Sequence, residues 1–196
     1  MWLNWSEREK FYIVDNHLYY GDSMGLKPAK CYRKLERPYT RQSRSKPKRS
    51  YVKGVPYPKI HKFEAGKRAD SYSCVVSLVA NNSVQIRHNA LEAARVGAHK
   101  ILTKHLGVDG FFLKVLVYPH HVLRENSLAT GAGADRFQTG MRQSFGKPVS
   151  TAARVMANQS VMEVRVPGAK KLIAKNALKV AGSKLPTTTR IVFETN

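Results

Sequence analysis

The chain has 196 residues and a mass of 22.0 kDa, and its 34 Lys and Arg residues against 13 Asp and Glu residues give a net charge of +21 and a pI near 10.2. A free monomer with this charge would repel itself, so the composition predicts a partner that supplies negative charge, nucleic acid first and an anionic membrane second. The longest uncharged stretch around an apolar segment, residues 71–86, is too short and too polar to cross a bilayer, which argues against a membrane protein. The charged N-terminal residues also predict that no secretory signal is present.

The charge divides the chain into three segments. Residues 1–23 have a net charge of −2, residues 24–68 have +13, and residues 69–196 have +10. The first segment differs in sign and composition from the second, so it is predicted to be an atypical extension, with Met24 as a second candidate start. The division predicts an extension, a basic arm and one globular domain.

The arm is predicted from its composition. From Lys27 to Arg68 it holds fifteen basic residues and two acids, with four tyrosines interleaved and five of the nine prolines. Proline blocks helix interiors, and the segment has too little apolar surface to offset the entropy of ordering a compact core. Such a segment is typical of an arm that lies on a polyanion.

The first predicted elements of the globular domain are a strand and a long helix. A run rich in Val, Leu and Tyr over residues 72–80 predicts the strand. Residues 81–83, Asn-Asn-Ser, are predicted to cap a helix over residues 84–106, which ends at Gly107.

The remaining elements alternate strands with one further helix. A second helix is predicted over residues 169–180, with Leu172, Ile173, Ala177 and Val180 facing inward. Strands are predicted over residues 111–118, 122–125, 151–157, 161–166 and 187–193. Together these elements predict an α+β fold, a two-layer sandwich in which two main helices pack on a largely antiparallel or mixed sheet, with the extended arm and a long glycine-rich loop outside it.

That loop covers residues 129–148, about twenty residues between two predicted strands, a length that is usually functional or disordered. Its glycines permit close approach of a ligand, its cations suit phosphate, and Phe137 and Phe145 offer stacking faces, a combination that suits RNA. The alternative is a flexible hairpin tip whose two phenylalanines anchor it on the sheet. The glycines are Gly131, Gly133, Gly140 and Gly146, and the cations are Arg136, Arg142 and Lys147.

Two enzyme motifs are nearly present in the loop. A dinucleotide fingerprint fails at Arg136, where glycine is required, and no helix is predicted after Gly133. A phosphate-binding loop fails because Lys147 is followed by Pro148 in place of Ser or Thr, and the glycine spacing is one residue too long. A nucleotide-dependent enzyme therefore stands only as a third hypothesis, which predicts saturable nucleotide binding that is lost on Lys147→Ala.

The other titratable residues indicate no catalytic or metal site. His120 and His121 point to opposite faces of a strand, and Cys31 and Cys74 lack metal-ligand spacing, so they are predicted to be reduced thiols in a cytosolic protein. No catalytic residue, metal or cofactor is predicted. The lysines of the second helix, at four-residue spacing, face either phosphate or solvent, and the spacing leaves both interpretations open; they are Lys171, Lys175 and Lys179.

Several ordered motifs resemble one family. They are Lys27-Pro-Ala-Lys-Cys-Tyr-Arg33, Arg37-Pro-Tyr-Thr-Arg41, Gly54-Val-Pro-x-x-Lys-Ile60, Asn89-Ala-Leu-Glu-Ala-Ala-Arg95, Leu123-Arg-Glu-Asn126, Gly133-Ala-Asp-Arg-Phe-Gln-Thr-Gly-Met-Arg142 and Phe145-Gly-Lys-Pro148. The chain from about residue 24 to residue 194 resembles the archaeal and eukaryotic large-subunit ribosomal protein "ten-e", the counterpart of bacterial large-subunit protein "sixteen", with archaeal members most alike. Residues 1–23 lie outside the family pattern, and residues 42–50 are longer and more basic than that pattern leads us to expect.

The resemblance implies a structural constituent of the large ribosomal subunit, located in the cytoplasm, that binds rRNA near the A-site and the peptidyl transferase centre and helps to position tRNA without catalysis. The implied partners are rRNA, including the neighbourhood of 5S rRNA, A-site and P-site tRNA, other large-subunit proteins and maturation factors, with no membrane and no homo-oligomer. The expected rRNA contacts are Lys27, Lys30, Tyr32, Arg33, Lys34, Arg37, Tyr39, Arg41, Arg44, Lys46, Lys48, Arg49, Lys53 and Lys59. The residues expected to approach tRNA and the catalytic centre are Arg136, Gln138, Met141, Arg142 and Lys147.

A rival of another class is a non-ribosomal RNA-binding chaperone or ribosome-assembly accessory factor that uses the same basic arm. It would be recovered mostly off ribosomes, whereas a ribosomal constituent would remain with the large subunit.

Overall fold

The structure is a computed structural model that describes residues 12–14, 17–19, 27–35, 45–46, 52–69, 72–129 and 131–195. The strands in these ranges are β1 (Tyr12–Val14), β2 (His17–Tyr19), β3 (Glu64–Gly66), β4 (Cys74–Ala80), β5 (Val84–Arg87), β6 (Phe112–Val115), β7 (His121–Glu125), β8 (Lys147–Val155), β9 (Ser160–Val166) and β10 (Thr189–Thr195). The helices there are α1 (His88–Leu106), the single turn α2 (Ala134–Phe137) and α3 (Lys171–Gly182), with 3₁₀ turns at Ala29–Tyr32 and Gly168–Lys170.

The larger sheet has five antiparallel strands in the order β10, β4, β9, β6, β3. Its β4 strand is buried at every position except Val75, because it lies between two neighbours and under α3. A strand covered on both faces is apolar nearly throughout instead of at alternate positions, which explains the Val- and Leu-rich run.

The smaller sheet positions the functional segments. It has three antiparallel strands in the order β5, β8, β7, and β7 and β8 are the two ends of the long loop. The β5 strand leads directly into α1, which packs against α3 and against the smaller sheet. One hydrophobic cluster joins both sheets and both helices, with fully buried Leu78, Leu102, Phe111 and Leu178 among its members.

The predicted fold class is confirmed: the chain is an α+β sandwich with two main helices on antiparallel sheets. Every strand pair in the described ranges is antiparallel. The strands expected from residue 72 onward are all present, with ends shifted by at most four residues. The described residues of the N-terminal extension form the antiparallel pair of β1 and β2.

The predicted start of the first helix is wrong. Residues 84–87 form β5, paired with β8, and α1 begins at His88. Val84, Gln85 and Ile86 are buried in succession, which a strand between a sheet partner and the core permits but a one-sided helix does not. The predicted end is confirmed, since Gly107 adopts a φ of 73° and its N–H donates to the Thr103 carbonyl.

The inward face predicted for the second helix is partly wrong. Leu172 is 65% exposed and Val180 is 37% exposed, although Val180 lies near Gly97 of α1. The buried stripe of α3 consists of Ala174, Ala177, Leu178 and Ala181. Small residues let α3 approach α1 and the sheet closely, so the helix packs through a stripe that is rotated away from Leu172.

The last part of the basic segment packs on the globular body. Val52 and Ile60 are buried, and Ile60 belongs to the hydrophobic cluster. Farther along, β3 pairs with β6 at the edge of the larger sheet. These residues therefore belong physically to the sandwich, although their composition is that of the basic segment.

Candidate nucleic-acid interface

The beginning of the basic segment, residues 27–35, lies against the smaller sheet. Pro28 precedes the 3₁₀ turn, where its missing N–H is not needed, and its carbonyl accepts from the Cys31 N–H at 3.1 Å. The turn is attached through Gln85 of β5, whose N–H donates to the Arg33 carbonyl at 2.9 Å. The Gln85 side-chain amide also donates to the carbonyls of Tyr32 at 3.2 Å and Lys34 at 2.7 Å. One buried side chain therefore fixes the backbone of this segment.

Two of the residues expected to contact rRNA also contact Glu125 at the end of β7. The Tyr32 hydroxyl donates to Glu125 Oε2 at 3.2 Å, and Lys27 Nζ lies 3.1 Å from Glu125 Oε1. Burial, and then the negative charge of Glu125, raise the pKa of Tyr32. The guanidinium of Arg87 lies 5.5 Å from the centre of the Tyr32 ring. The polar groups of Lys27 and Tyr32 thus attach the segment to the sheet.

The other expected rRNA contacts divide into two sets. The cations with exposed side chains are Lys30, Arg33, Lys34, Lys46, Lys53 and Lys59. Those outside the described residues are Arg37, Tyr39, Arg41, Arg44, Lys48 and Arg49. Arg33 and Lys34 line one side of a cleft of about 540 Å³, and the hydroxyl-bearing turns at residues 82–84 and 185–188 line the other.

The long loop runs from residue 126 to residue 146 and contains the turn α2. We expected no helix after Gly133, and this is wrong, because α2 begins at Ala134. Gly133 has a φ of 81°, a left-handed conformation that favours glycine, and its carbonyl accepts from the Arg136 N–H at 3.1 Å. With only four residues, the turn serves to present Arg136 and Phe137 at the tip.

Gln138 holds the two sides of the loop together. Its side-chain oxygen accepts from the Ala129 N–H, and its side-chain nitrogen donates to the Ser127 carbonyl at 2.9 Å. Gln138 is one of the residues expected to approach tRNA, and its amide group forms hydrogen bonds within the loop. It therefore braces the loop that carries the neighbouring Arg136.

The tip of the loop combines exposed apolar side chains with exposed cations. Phe137 is 85% exposed, so it does not anchor the loop on the sheet as the hairpin-tip alternative requires. Phe145 does contact the sheet, with the Arg124 guanidinium 3.8 Å from the centre of its ring. The other expected contacts with exposed side chains are Arg136, Met141, Arg142 and Lys147. A cleft of about 360 Å³ lies between Asn126 and the segment 137–143.

The near-motifs for nucleotide enzymes gain no support from this geometry. Lys147 begins strand β8, whereas a phosphate-binding loop must open a helix at that point. Pro148 follows within the same strand. In the described ranges, no group of three or more His, Cys, Asp or Glu residues could hold a metal ion.

The remaining titratable groups are structural or solvated. His88 is buried, and its Nδ1 lies 2.9 Å from Thr151 Oγ1; burial, and then the charge of Lys59, lower its pKa. The pKa of His121 is lowered by burial and then by the positive charges of Arg154 and Arg124. The three lysines of α3 are exposed, and Lys171 Nζ lies 5.9 Å from the ring centre of Phe193.

None of the helices in the described part of the chain is long and apolar enough to cross a membrane.

Comparison with known proteins adds independent evidence. Residues 36–192 match the sequence profile of the family described as "Ribosomal protein L16p/L10e". A protein of Staphylothermus marinus, named large ribosomal subunit protein uL16, is 54% identical over 172 residues, which cover 87% of this chain and 95% of the relative. Proteins of the same name from Hyperthermus butylicus and Sulfolobus acidocaldarius are each 50% identical, over 86% of this chain and 93% of each relative.

Proposed function

The chain belongs to the ribosomal protein L16p/L10e family, and on that basis we propose that it binds rRNA of the large subunit near the A-site and peptidyl transferase centre and helps to position tRNA. Its role is structural and not enzymatic, since its relatives are named as ribosomal proteins. The proposal concerns which residues carry out that role and how.

The observation that carries this proposal is the composition of the loop tip in three dimensions. Arg136 and Arg142 are exposed in the same part of the loop as the exposed Phe137 and Met141, and Lys147 is exposed at the root of the loop. Cations suit phosphate oxygens, and aromatic faces suit unpaired bases or the stacked ends of an RNA. Because Gln138 holds the loop internally, the tip keeps its shape without using the groups that would contact RNA. Such a tip is suited to approach tRNA.

We assign the rRNA contacts of the basic segment by exposure. The cations at positions 30, 33, 34, 46, 53 and 59 have exposed side chains, and each offers charge to a phosphate, whereas Lys27 and Tyr32 contact Glu125 of the sheet. The cleft beside Arg33 and Lys34 has a volume within the range of ligand sites, roughly 300–1,000 Å³, and it would accept one nucleotide of an RNA backbone. Residues 24–68 then act as the rRNA-binding arm, whose last part packs on the globular domain of residues 69–196, and residues 1–23 act as an atypical extension.

The proposed partners follow from this placement. They are large-subunit rRNA, including the neighbourhood of 5S rRNA, A-site and P-site tRNA, neighbouring large-subunit proteins and maturation factors. The protein would reside in the ribosome, in the cytoplasm, and would need no second copy of itself. Its net charge of +21 would be compensated by the phosphates around it.

The salt dependence of binding to deproteinised archaeal large-subunit rRNA tests the proposal. If roughly ten basic side chains contact phosphate, the slope of log K against log salt is about −7 to −9. A slope near −2 would mean that only two or three phosphates are neutralised, and it would contradict the proposed role of the arm.

A further inference from the structure

The acidic residue Glu125 lies where the start of the basic segment meets the beginning of the loop. Glu125 is the last residue of β7, immediately before the loop, and its side chain is only 13% exposed. Its two carboxylate oxygens have different partners, Lys27 Nζ at 3.1 Å and the Tyr32 hydroxyl at 3.2 Å. A carboxylate in a surface built for phosphate would repel the ligand, so its presence calls for a local role. That role is to hold the start of the basic segment.

The backbone of the same residue holds the returning end of the loop. A Cβ atom built on Gly146 would lie 2.4 Å from the carbonyl carbon of Glu125, so glycine is needed for the two backbones to approach this closely. Glu125 is also the register partner of Lys147, the first residue of β8. Beside them, the Arg124 guanidinium stacks on Phe145. Both ends of the loop therefore meet at Glu125.

We propose that Glu125 is a positioning residue that fixes the start of the basic segment relative to the root of the loop. The inference rests on the proposed function and deepens it. It names the group that fixes the position of the rRNA-binding arm relative to the loop that is proposed to approach tRNA. An exposed ion pair contributes little to stability by itself, and Lys27 is 46% exposed. The contribution of Glu125 is therefore geometric: its side-chain contacts hold the segment, and the same contacts fix the position of the Glu125 backbone against which the loop packs.

Hydrogen exchange of the free full-length chain tests this role. Glu125→Leu removes both side-chain contacts, and we expect exchange of the amides in residues 27–35 and in residues 126–146 to become about fivefold faster, the effect of losing one net hydrogen bond. Faster exchange in residues 27–35 alone would show that Glu125 only anchors the segment, and it would overturn the positioning role.

A second variant separates positioning from a general loss of structure. Tyr32→Phe removes only a hydroxyl that donates to Glu125. Because the effect must pass through Glu125, we expect loop amides near residues 143–147 to exchange about twofold faster, a fraction of one hydrogen bond. Unchanged loop exchange in this variant would contradict the proposal.

Glu163→Leu is the matched control. Glu163 lies on β9 of the larger sheet, has the same 13% side-chain exposure, and pairs with Arg165 at 2.9 Å. We expect the control to leave exchange in the loop and in residues 27–35 at the wild-type rate. Equal acceleration by the control would mean that any lost ion pair loosens the chain, and the special role of Glu125 would be wrong. These readouts need no RNA, so they are independent of the salt-slope test of the proposed function.

Discussion

The start of the basic segment and the long loop have similar compositions but are held in different ways. In residues 27–35 the Tyr32 hydroxyl and three backbone carbonyls are bound by Glu125 and Gln85 of the sheet. The loop is braced by its own Gln138, and it leaves Phe137 exposed. The first region is attached to the body by its polar groups, whereas the second keeps its own shape and presents its side chains.

This difference predicts a division of labour. A segment that is fixed to the body and has exposed cations is suited to electrostatic attachment, where many equivalent phosphate contacts add together. A braced loop with aromatic and cationic side chains at its tip is suited to a few specific contacts. Changes to the segment should therefore alter affinity for rRNA, and changes to the loop should alter function within an assembled subunit.

The largest expected effect comes from removing charge from the segment. Replacing Lys30, Arg33, Lys34, Lys53 and Lys59 with Gln should make the salt slope of rRNA binding less steep by about 3.5 to 4.5, because each phosphate contact contributes about 0.7 to 0.9. The comparison variant replaces Arg136, Arg142 and Lys147 with Gln in the loop. It should leave the slope on isolated rRNA nearly unchanged, and an equal change per removed charge would remove the distinction between the regions.

The root of the loop is the next most sensitive point. Gly146→Ala should lower the free energy of unfolding by about 1–3 kcal/mol, because the added methyl overlaps the backbone of Glu125. The matched variant is Gly97→Ala in α1, where the new Cβ would lie 3.5 Å from Val180 Cγ1, an ordinary contact. It should raise stability by about 0.5–1 kcal/mol by removing a glycine from a helix interior. Urea denaturation measures both, and effects of the same sign would contradict this packing.

A single tip cation should act on function more than on assembly. Arg136→Ala should lower tRNA-dependent activity of reconstituted large subunits about tenfold, the loss of one charge-assisted hydrogen bond of about 1.5 kcal/mol. Incorporation into subunits should stay near that of the wild type. Arg190→Ala, at an exposed arginine of β10, is the control and should change neither. If Arg136→Ala lowered the yield of assembled subunits as much as deletion of the arm does, the proposed division of labour between the segment and the loop would be wrong.

The smallest expected effect is a pH dependence of the stability of the fold, which comes from buried His88. The pKa of His88 is lowered from 6.5 in the folded chain, so the unfolded chain binds a proton first as pH falls. Stability is therefore fully present above pH 6.5 and declines below it, by at most about 1.4 kcal/mol per pH unit for one group. His88→Gln should make the decline shallower, with His121 still contributing in the same direction. An identical pH profile would argue against a neutral buried His88.

Much of the fold could be predicted because its signals are local. The apolar run of β4 and the glycine that ends α1 are both visible within a few residues. The start of α1 was missed because Val84 and Ile86 fit either period, and only pairing with β8 decides between strand and helix. The phase of α3 was misjudged because Leu172 is larger than the alanines that pack inward.

The candidate interface was predictable by residue type but not by contact. Arg136, Arg142 and Lys147 were recognised from the composition of the loop, and all are exposed. Glu125 and Gln85 were missed as anchors, because Glu125 binds Tyr32 from 93 positions away and such pairing has no local signal. The local traces of the junction are the motifs that contain its residues, Lys27-Pro-Ala-Lys-Cys-Tyr-Arg33, Leu123-Arg-Glu-Asn126 and Phe145-Gly-Lys-Pro148.

The most direct test of the account is sedimentation of cell extract through a high-salt gradient, with this protein detected in every fraction. A protein that is bound through many phosphate contacts and whose loop is held within the subunit should remain in large subunits at a near-stoichiometric level. The reason is that its contacts are lost together or not at all. Recovery at the top of the gradient would contradict the account, and it would identify the protein as an accessory factor that binds RNA without becoming part of the subunit.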